Sequence, residues 1–107
     1  MTVYGLKNCD KCRAAVKELI GKGYAARLVD IRETPLSDAQ IARFLEVFGD
    51  ALVNRRSTTW RGLSDEARKD NPATLLAAHP ALMKRPVIET DGALYLGWDA
   101  GVRDALL

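Results

Sequence analysis

The sequence predicts an α/β domain built on a four-stranded mixed sheet with an all-helical insertion. Three patterns carry this prediction: strand-like runs that flank a helical repeat at the start, a central block without strand-like alternation, and an Asp-Gly turn between two strand-like runs near the end. We expect one domain over residues 1–107, with the insertion over about residues 36–82.

The first third of the chain is typical of a βαβ unit. Residues 2–6 are predicted to form a short strand, residues 10–21 a helix, and residues 26–31 a second strand. The side chains that define one face of the helix are Ala15, Val16, Leu19 and Ile20. Two strands joined through such a helix are parallel, because the crossover returns the chain to the same end of the sheet.

The central block predicts helices. Ser37 and Gln40 match a capping box, and apolar residues at helical spacing follow them until Gly49. Shorter helices are expected near residues 50–54, 64–69 and 73–78. Ser64 suits the N-cap of the second of these, and Pro72 suits the first turn of the third.

The end of the chain predicts a β-hairpin and a helix. Residues 85–90 and 93–96 are strand-like, and the Asp-Gly pair between them is a strong hairpin turn signal. Residues 99–107 then predict a short last helix with Asp99 as its N-cap.

The composition excludes several classes of protein. The chain is 48% hydrophobic and 28% charged, which is ordinary for a globular protein, and its net charge of +2 is too small to indicate nucleic acid binding. No apolar stretch approaches the roughly 20 residues of a membrane span. The N-terminus lacks a basic region followed by an apolar run, so we expect no signal peptide and no membrane partner. The expected compartment is the cytoplasm.

The two cysteines of the chain, Cys9 and Cys12, stand where a predicted strand gives way to a helix. A helix N-terminus stabilises a thiolate, and Lys7, Lys11 and Arg13 add positive charge. Cys-x-x-Cys beside a βα pattern is typical of a redox motif. We expect Cys9 to attack as a thiolate and Cys12, one helical turn further on, to resolve the mixed disulfide.

Two other interpretations of the cysteine pair stay open. Cys9 and Cys12 could be small buried hydrophobic residues, or they could bind zinc with His79 as a third ligand. Two cysteines fall short of the four ligands of a structural zinc site, so we expect no metal. Trp60 and Trp98 are expected to pack in the fold and not to bind a ligand.

Three segments of the chain together resemble the ArsC/Spx family. They are Tyr4-Gly5-Leu6-Lys7-Asn8-Cys9-Asp10-Lys11-Cys12, Arg55-Arg56-Ser57-Thr58-Thr59-Trp60, and His79-Pro80-Ala81-Leu82-Met83-Lys84-Arg85-Pro86-Val87. Within that family the chain is most similar to the small YffB-like branch. The resemblance covers nearly the whole chain and implies a thioredoxin-like fold.

The resemblance also implies a site around the cysteine pair. Cys9 matches the family's nucleophile, and Cys12 matches the second cysteine of its redox-switch members. Arg85 matches a catalytic arginine that helps to hold an oxyanion, and Pro86 matches a proline expected in cis beside the active cysteine. The implied substrate-binding positions are Asn8, Lys11, Asn54, Arg55 and Pro86.

The chain departs from the family's arsenate reductases at the anion site. Those enzymes use three arginines, and at the corresponding positions this chain has Asn54, Arg85 and Gly97. Each missing arginine removes charged hydrogen bonds worth roughly 1.5–3 kcal/mol. A thiol or glutathione-type substrate therefore suits the chain better than arsenate.

The resemblance thus implies a glutathione-dependent thiol reductase with Cys9 as its nucleophile. Glutathione is the expected co-substrate, glutaredoxin is a candidate electron donor, no cofactor is expected to be bound, and a monomer is expected. Two alternatives stay open: an arsenate reductase coupled to glutathione and glutaredoxin, and an Spx-like redox-sensing regulator that binds RNA polymerase.

Overall fold

The computed structural model describes the whole chain, Met1–Leu107. The strands are β1 (Thr2–Gly5), β2 (Arg27–Asp30), β3 (Val87–Thr90) and β4 (Ala93–Leu96). The α-helices are α1 (Asp10–Lys22), α2 (Asp38–Phe48), α3 (Thr58–Arg61), α4 (Pro72–Ala78) and α5 (Ala100–Leu106). The chain divides into two compact units: a first unit of Met1–Thr34 and Arg85–Leu107, and a second unit of Pro35–Lys84.

The first unit contains one mixed sheet in the order β2-β1-β3-β4. β1 pairs in parallel with β2 and antiparallel with β3, and β3 and β4 form the C-terminal hairpin. Val3 in β1 lies opposite Leu28 on one side and Ile88 on the other. The predicted α/β class with a four-stranded mixed sheet is therefore confirmed, and the arrangement is thioredoxin-like.

The core of the first unit forms where α1 and α5 supply apolar side chains to the sheet. Val3, Leu19, Ile88 and Leu106 make up its buried cluster, and partly buried apolar side chains of the same unit surround it. The Tyr24 hydroxyl donates a hydrogen bond of 2.6 Å to the Leu106 carbonyl. This bond connects the loop after α1 to the C-terminal helix.

α1 runs from its N-cap at Cys9 to a left-handed cap at Gly23. Gly23 has a φ of 108°, and its N–H donates to the Ile20 carbonyl at 3.0 Å. Glycine is suited to this position because a β-carbon would be strained at positive φ. The helix extends one residue past Gly21, its approximate predicted end, and Gly23 caps it.

α5 is joined to α1 through one carboxylate. Asp99 caps α5 by accepting the Val102 N–H at 3.0 Å, as predicted. Glu18 of α1 accepts hydrogen bonds from the Trp98 indole at 2.5 Å and from Arg103 at 2.8 Å. The prediction that Trp98 has a packing role agrees with these contacts.

The second unit begins with the predicted capping box. Ser37 Oγ accepts the Gln40 N–H at 3.1 Å, and Gln40 Oε1 accepts the Ser37 N–H at 2.9 Å. Ile41 and Phe44 on α2 are buried, and Gly49 follows the end of the helix. Reciprocal capping of this kind satisfies two donors that the first helical turn leaves open.

The short helices of the second unit differ from the sequence prediction in extent. The helix expected near residues 50–54 is a 3₁₀ turn, Gly49–Leu52, and the one expected near 64–69 is a 3₁₀ turn, Ala67–Lys69. Ser64 still acts as a cap, because its Oγ accepts the Ala67 N–H at 3.1 Å. α4 begins at Pro72, as predicted.

Two short elements of the second unit were not predicted from the sequence. They are α3, capped by the Ser57 hydroxyl at 3.1 Å from the Trp60 nitrogen, and a 3₁₀ turn at Pro80–Leu82. Elements of three or four residues are too short to show a helical repeat of apolar side chains. No helix of the structure combines the length and the apolar character needed to cross a bilayer.

Candidate active site

Cys9 stands at the end of a tight turn that leads from β1 into α1. Its N–H donates to the Leu6 carbonyl at 3.1 Å, and its own carbonyl accepts the Arg13 N–H at 3.0 Å. The backbone of Cys9 is extended, with φ −93° and ψ 121°, which is the usual conformation of an N-cap. The half-buried thiol therefore lies at the N-terminal end of α1.

The surroundings of Cys9 favour its thiolate. Burial by itself raises the pKa of Cys9, but hydrogen bonds from the Cys12 N–H, the Cys12 thiol and Arg85, together with the positive charge of Arg85, outweigh burial and lower that pKa. The predicted stabilisation of the thiolate at the helix N-terminus agrees with this balance.

Cys12 has the opposite character. Its side chain is fully buried, and burial is the main reason why the pKa of Cys12 rises to about 12, with the neighbouring Cys9 acting in the same direction. A thiol with such a pKa stays protonated at neutral pH. Cys12 is therefore a hydrogen-bond donor to Cys9, and both residues are free cysteines.

Gly5 makes the position of Cys12 possible. A β-carbon at residue 5 would overlap the Cys12 sulfur and lie 3.2 Å from the Cys12 β-carbon. Glycine in β1 thus lets the buried thiol pack directly against the strand. The sequence analysis did not single out Gly5 as a site residue, although an isolated glycine at the end of a strand is a signal of close backbone approach.

Arg85 and Pro86 reach the cysteines from the far end of the chain. The peptide bond between them is cis, as the resemblance implies. The Arg85 Nε is buried, and the Arg85 side chain donates a hydrogen bond to the Cys9 sulfur. The Pro86 carbonyl accepts the Gly97 N–H at 2.8 Å, and Gly97 has a φ of 85°, so this glycine supports the loop that contains Pro86.

The other polar and charged residues of the segment around Cys9 are exposed. Asn8 and Lys11 lie on the surface beside Cys9. Lys7 forms an ion pair with Glu33, and Arg13 forms one with Asp10. The sequence predicts that Lys7, Lys11 and Arg13 add positive charge near the thiolate. In the structure two of these cations are engaged by acids, and Arg85 is the cation that acts on Cys9.

Asp30 is a residue that the sequence analysis missed. Its carboxylate accepts the Lys7 N–H at 2.9 Å, the Arg32 N–H at 2.8 Å and the Glu33 N–H at 3.2 Å. The bond from Lys7 is the main reason why the pKa of Asp30 is lowered. Asp30 therefore ties the end of β2 to the turn that carries Cys9. An aspartate that opens a loop after a strand is a known turn signal, and it could have indicated this role.

Asn54 and Arg55 belong to the second unit, where their contacts fix a local turn. Asn54 Oδ1 accepts the Arg56 N–H at 3.0 Å, and its own N–H donates to the Leu82 carbonyl at 2.8 Å. Arg55 lies over the Trp60 ring, 5.3 Å from its centroid. Their assignment to substrate binding stays a prediction. No three His, Cys, Asp or Glu side chains are grouped so that they could hold a metal ion.

A thioredoxin-like sheet that presents a thiolate-favouring cysteine beside a protonated one defines the class of thiol-based oxidoreductases. Within that class the chain belongs to the ArsC family, because the family model of that description matches residues 4–105. A Haemophilus influenzae protein named only as uncharacterized is 38% identical over 104 residues, which cover 92% of this chain and 91% of that protein. A Neisseria meningitidis protein named arsenate reductase is 30% identical over 96 residues, which cover 83% of this chain and 82% of that relative.

Solved structures give the same result. The structure titled YFFB (PA3664) protein superposes with a TM-score of 0.88 at 27% identity, over 99% of this chain and 97% of that one. An arsenate reductase related protein from Brucella melitensis gives a TM-score of 0.75 at 34% identity, over 97% and 91%. Both matches extend over residues of both compact units.

Proposed function

We propose that the protein is a glutathione-dependent thiol–disulfide oxidoreductase with Cys9 as its nucleophile. The observation that carries this proposal is the contrast between Cys9, whose pKa is lowered, and Cys12, whose pKa is raised to about 12. One sulfur is prepared to attack, and the other is prepared to donate a hydrogen bond to it. A reducing compartment such as the cytoplasm would supply glutathione and keep both thiols reduced.

The reaction proposed for Cys9 is a disulfide exchange in two steps. In the first, the Cys9 thiolate attacks one sulfur of a substrate disulfide. A bond from Cys9 to that sulfur forms, the substrate S–S bond breaks, and the other substrate sulfur leaves as a thiolate. In the second, a glutathione thiolate attacks the sulfur bonded to Cys9 and displaces the Cys9 thiolate, which closes the cycle. Arg85 stabilises the negative charge on Cys9 before and after each exchange.

The proposal gives Cys12 a supporting role. After Cys9 has entered a mixed disulfide its charge is gone, but the burial that chiefly raises the pKa of Cys12 remains. The Cys12 thiol is then slow to form the thiolate needed for attack. We therefore assign the second step to glutathione, in place of the resolving role that the sequence suggested for Cys12.

Incubation with glutathione disulfide followed by mass spectrometry tests this function. Wild type and Cys12→Ser are expected to gain one glutathione on Cys9, and Cys9→Ser is expected to gain none. Modification of Cys12 alone would reverse the assignment of the nucleophile. Rapid conversion of the wild type to an internal Cys9–Cys12 disulfide would restore the resolving role of Cys12.

Arsenate reduction is a second candidate, which the Neisseria meningitidis relatives named arsenate reductase favour. Two glutathione molecules would be oxidised to one disulfide as arsenate becomes arsenite and water. The chain has one arginine, Arg85, at the three anion positions that the resemblance implies, so we expect this rate to be low. An assay that follows arsenite and glutathione disulfide together decides between the candidates, and a rate for arsenate above that for disulfides would reverse their order.

A regulatory role of the Spx kind is a separate outcome. Recovery of RNA polymerase subunits with the purified protein, from lysates under either oxidising or reducing conditions, would support it. With glutaredoxin added to the exchange assay, faster turnover would identify glutaredoxin as an electron donor. The proposed monomer is tested by light scattering in the same buffer.

A further inference from the structure

A small cleft lies beside the turn that carries Cys9. It has a volume of about 170 Å³ and is lined by Lys7, Asn8, Asp30, Arg32 and Glu33. Asn8 directly precedes Cys9, so the cleft wall lies within one or two residue lengths, or about 4–7 Å of chain, from the nucleophile. A tripeptide thiol spans up to about 10 Å, so a molecule bonded to the Cys9 sulfur is long enough to reach this cleft.

The backbone walls of the cleft are fixed before any ligand arrives. The Asp30 carboxylate holds three N–H groups, from Lys7 on one wall and from Arg32 and Glu33 on the other. The Thr34 N–H also donates to the Asp30 carbonyl at 2.8 Å. A ligand that enters such a preformed site avoids the cost of ordering its walls.

One of the two cations of the cleft has no ion-pair partner. Both carboxylates are engaged: Asp30 accepts three backbone N–H groups, and Glu33 pairs with Lys7. The Arg32 guanidinium makes no hydrogen bond or ion pair, and the exposed Asn8 amide adds a neutral donor. A guanidinium presents two parallel N–H groups in the geometry that a carboxylate accepts.

We propose that this cleft is a carboxylate-binding subsite for the thiol co-substrate, with Arg32 as its main contact. The inference rests on the proposed reaction of Cys9 with glutathione and specifies how the co-substrate is recognised. Glutathione carries two carboxylates, one on its γ-glutamyl end and one on its glycine end. Either carboxylate could enter the cleft while the central sulfur is bonded to Cys9.

The test compares charged and uncharged disulfides that react with the same cysteine. Second-order rate constants for modification of Cys9 are measured with glutathione disulfide and with bis(2-hydroxyethyl) disulfide, which has no carboxylate. The proteins are wild type, Arg32→Gln and the matched control Arg27→Gln, which removes an exposed arginine at the opposite end of β2.

We expect Arg32→Gln to slow the reaction of Cys9 with glutathione disulfide by about threefold to fivefold. This is the effect that losing a solvent-exposed charge contact has. The uncharged disulfide should react at the wild-type rate, and Arg27→Gln should match wild type with both reagents. The selective loss should shrink in about 1 M salt because exposed charges are screened. The subsite is overturned if Arg32→Gln slows the reactions with both disulfides equally or slows neither reaction. It is also overturned if Arg27→Gln shows the same loss as Arg32→Gln.

A second arm identifies which carboxylate enters the cleft. The disulfide of glutathione ethyl ester has its glycine carboxylate blocked. If the rate with this reagent no longer depends on Arg32, the glycine end occupies the cleft, and if the dependence persists, the γ-glutamyl end does. A wild type that reacts with neither disulfide overturns the proposed function itself. A wild type that reacts with both but shows no Arg32 dependence overturns only the subsite.

Discussion

Cys9 and Cys12 are three residues apart, and their pKa values are shifted in opposite directions. Both lie at the start of α1, and both feel the charge of Arg85. Cys9 is half-buried and receives hydrogen bonds, whereas Cys12 is fully buried against β1 and gives one. The Cys-x-x-Cys spacing alone therefore does not determine which cysteine is the thiolate and which stays protonated. The roles are divided by the deep burial of Cys12, which Gly5 permits, and by the hydrogen bonds and Arg85 charge that act on Cys9.

The donor role of Cys12 predicts the largest effect on the reaction rate of Cys9. Cys12→Ala removes a hydrogen bond to a charged sulfur and should slow the reaction of Cys9 with glutathione disulfide at pH 7 by about threefold to tenfold, because the loss of thiolate is partly offset by higher nucleophilicity. Cys12→Ser retains a donor and should stay closer to wild type. Stopped-flow rates across pH provide the measurement. Equal losses in the two variants would instead indicate that the Cys12 sulfur itself takes part in the reaction.

Arg85 gives the next prediction, in which the pH profile of Cys9 moves. Arg85 lowers the pKa of Cys9 by hydrogen bond and charge, so Arg85→Gln should shift the midpoint of iodoacetamide alkylation to higher pH. The thiolate fraction at pH 7 then falls. Arg85→Lys keeps the charge without the planar fork and should give an intermediate profile. An unchanged midpoint in Arg85→Gln would remove Arg85 from the site.

Gly5→Ala should disrupt the packing of the buried Cys12 against β1. The new methyl group overlaps the Cys12 sulfur, so we expect the free energy of unfolding to fall by about 1–3 kcal/mol, measured by urea titration. Gly21→Ala is the matched control, because nothing lies within 4 Å of a β-carbon there. That change, inside α1, should raise stability by about 0.5–1 kcal/mol. A Gly5→Ala variant as stable as wild type would show that Cys12 relocates freely.

Asp30 predicts the smallest effect, and it depends on pH. The pKa of Asp30 is lowered by the hydrogen bonds that its carboxylate accepts, chiefly from Lys7. Its contribution is therefore present above the usual carboxyl value of 3.8 and is lost as the pH falls through the folded-state value. Asp30→Asn should cost about 1 kcal/mol at pH 7, since the bonds are solvent-exposed, and less near pH 2.

Urea titrations of wild type and Asp30→Asn at the two pH values check this prediction. Asp104→Asn, which changes an exposed carboxylate of α5, serves as the control at both. A cost for Asp30→Asn that is the same at both pH values would contradict the role of its ionised form.

The sequence was sufficient for the regions where a signal is local. The Ser37–Gln40 capping box, the Asp99 cap and the Asp-Gly hairpin turn each depend on side chains within four residues of the backbone groups they satisfy. Those signals, with the apolar runs between them, determined the βαβ unit and the hairpin. Elements of three or four residues escaped prediction because they contain barely one turn.

The site was harder to predict because its contacts join distant parts of the chain. Lys7 was expected to act on Cys9, but it pairs with Glu33, which is 26 residues away in sequence. Spacing along the chain could not reveal that pair. Nor could it place Arg85 beside Cys9, an arrangement that only the family resemblance implied. Gly5 and Asp30 were missed because their roles depend on which backbone or sulfur atom lies opposite them after folding.

The strand order has a consequence for behaviour at high concentration. β2 and β4 are the two edge strands of the sheet, and the unpaired backbone groups of an edge strand can pair with strands of other molecules. Each is only four residues long, and β2 starts with the exposed Arg27 and ends with Asp30, which is occupied by its own loop. Short edge strands are poor templates for aggregation, and the charged ends of β2 add to this effect on its side of the sheet. The carboxylate that holds the cysteine turn thus also helps to keep one molecule from adding its sheet to the next.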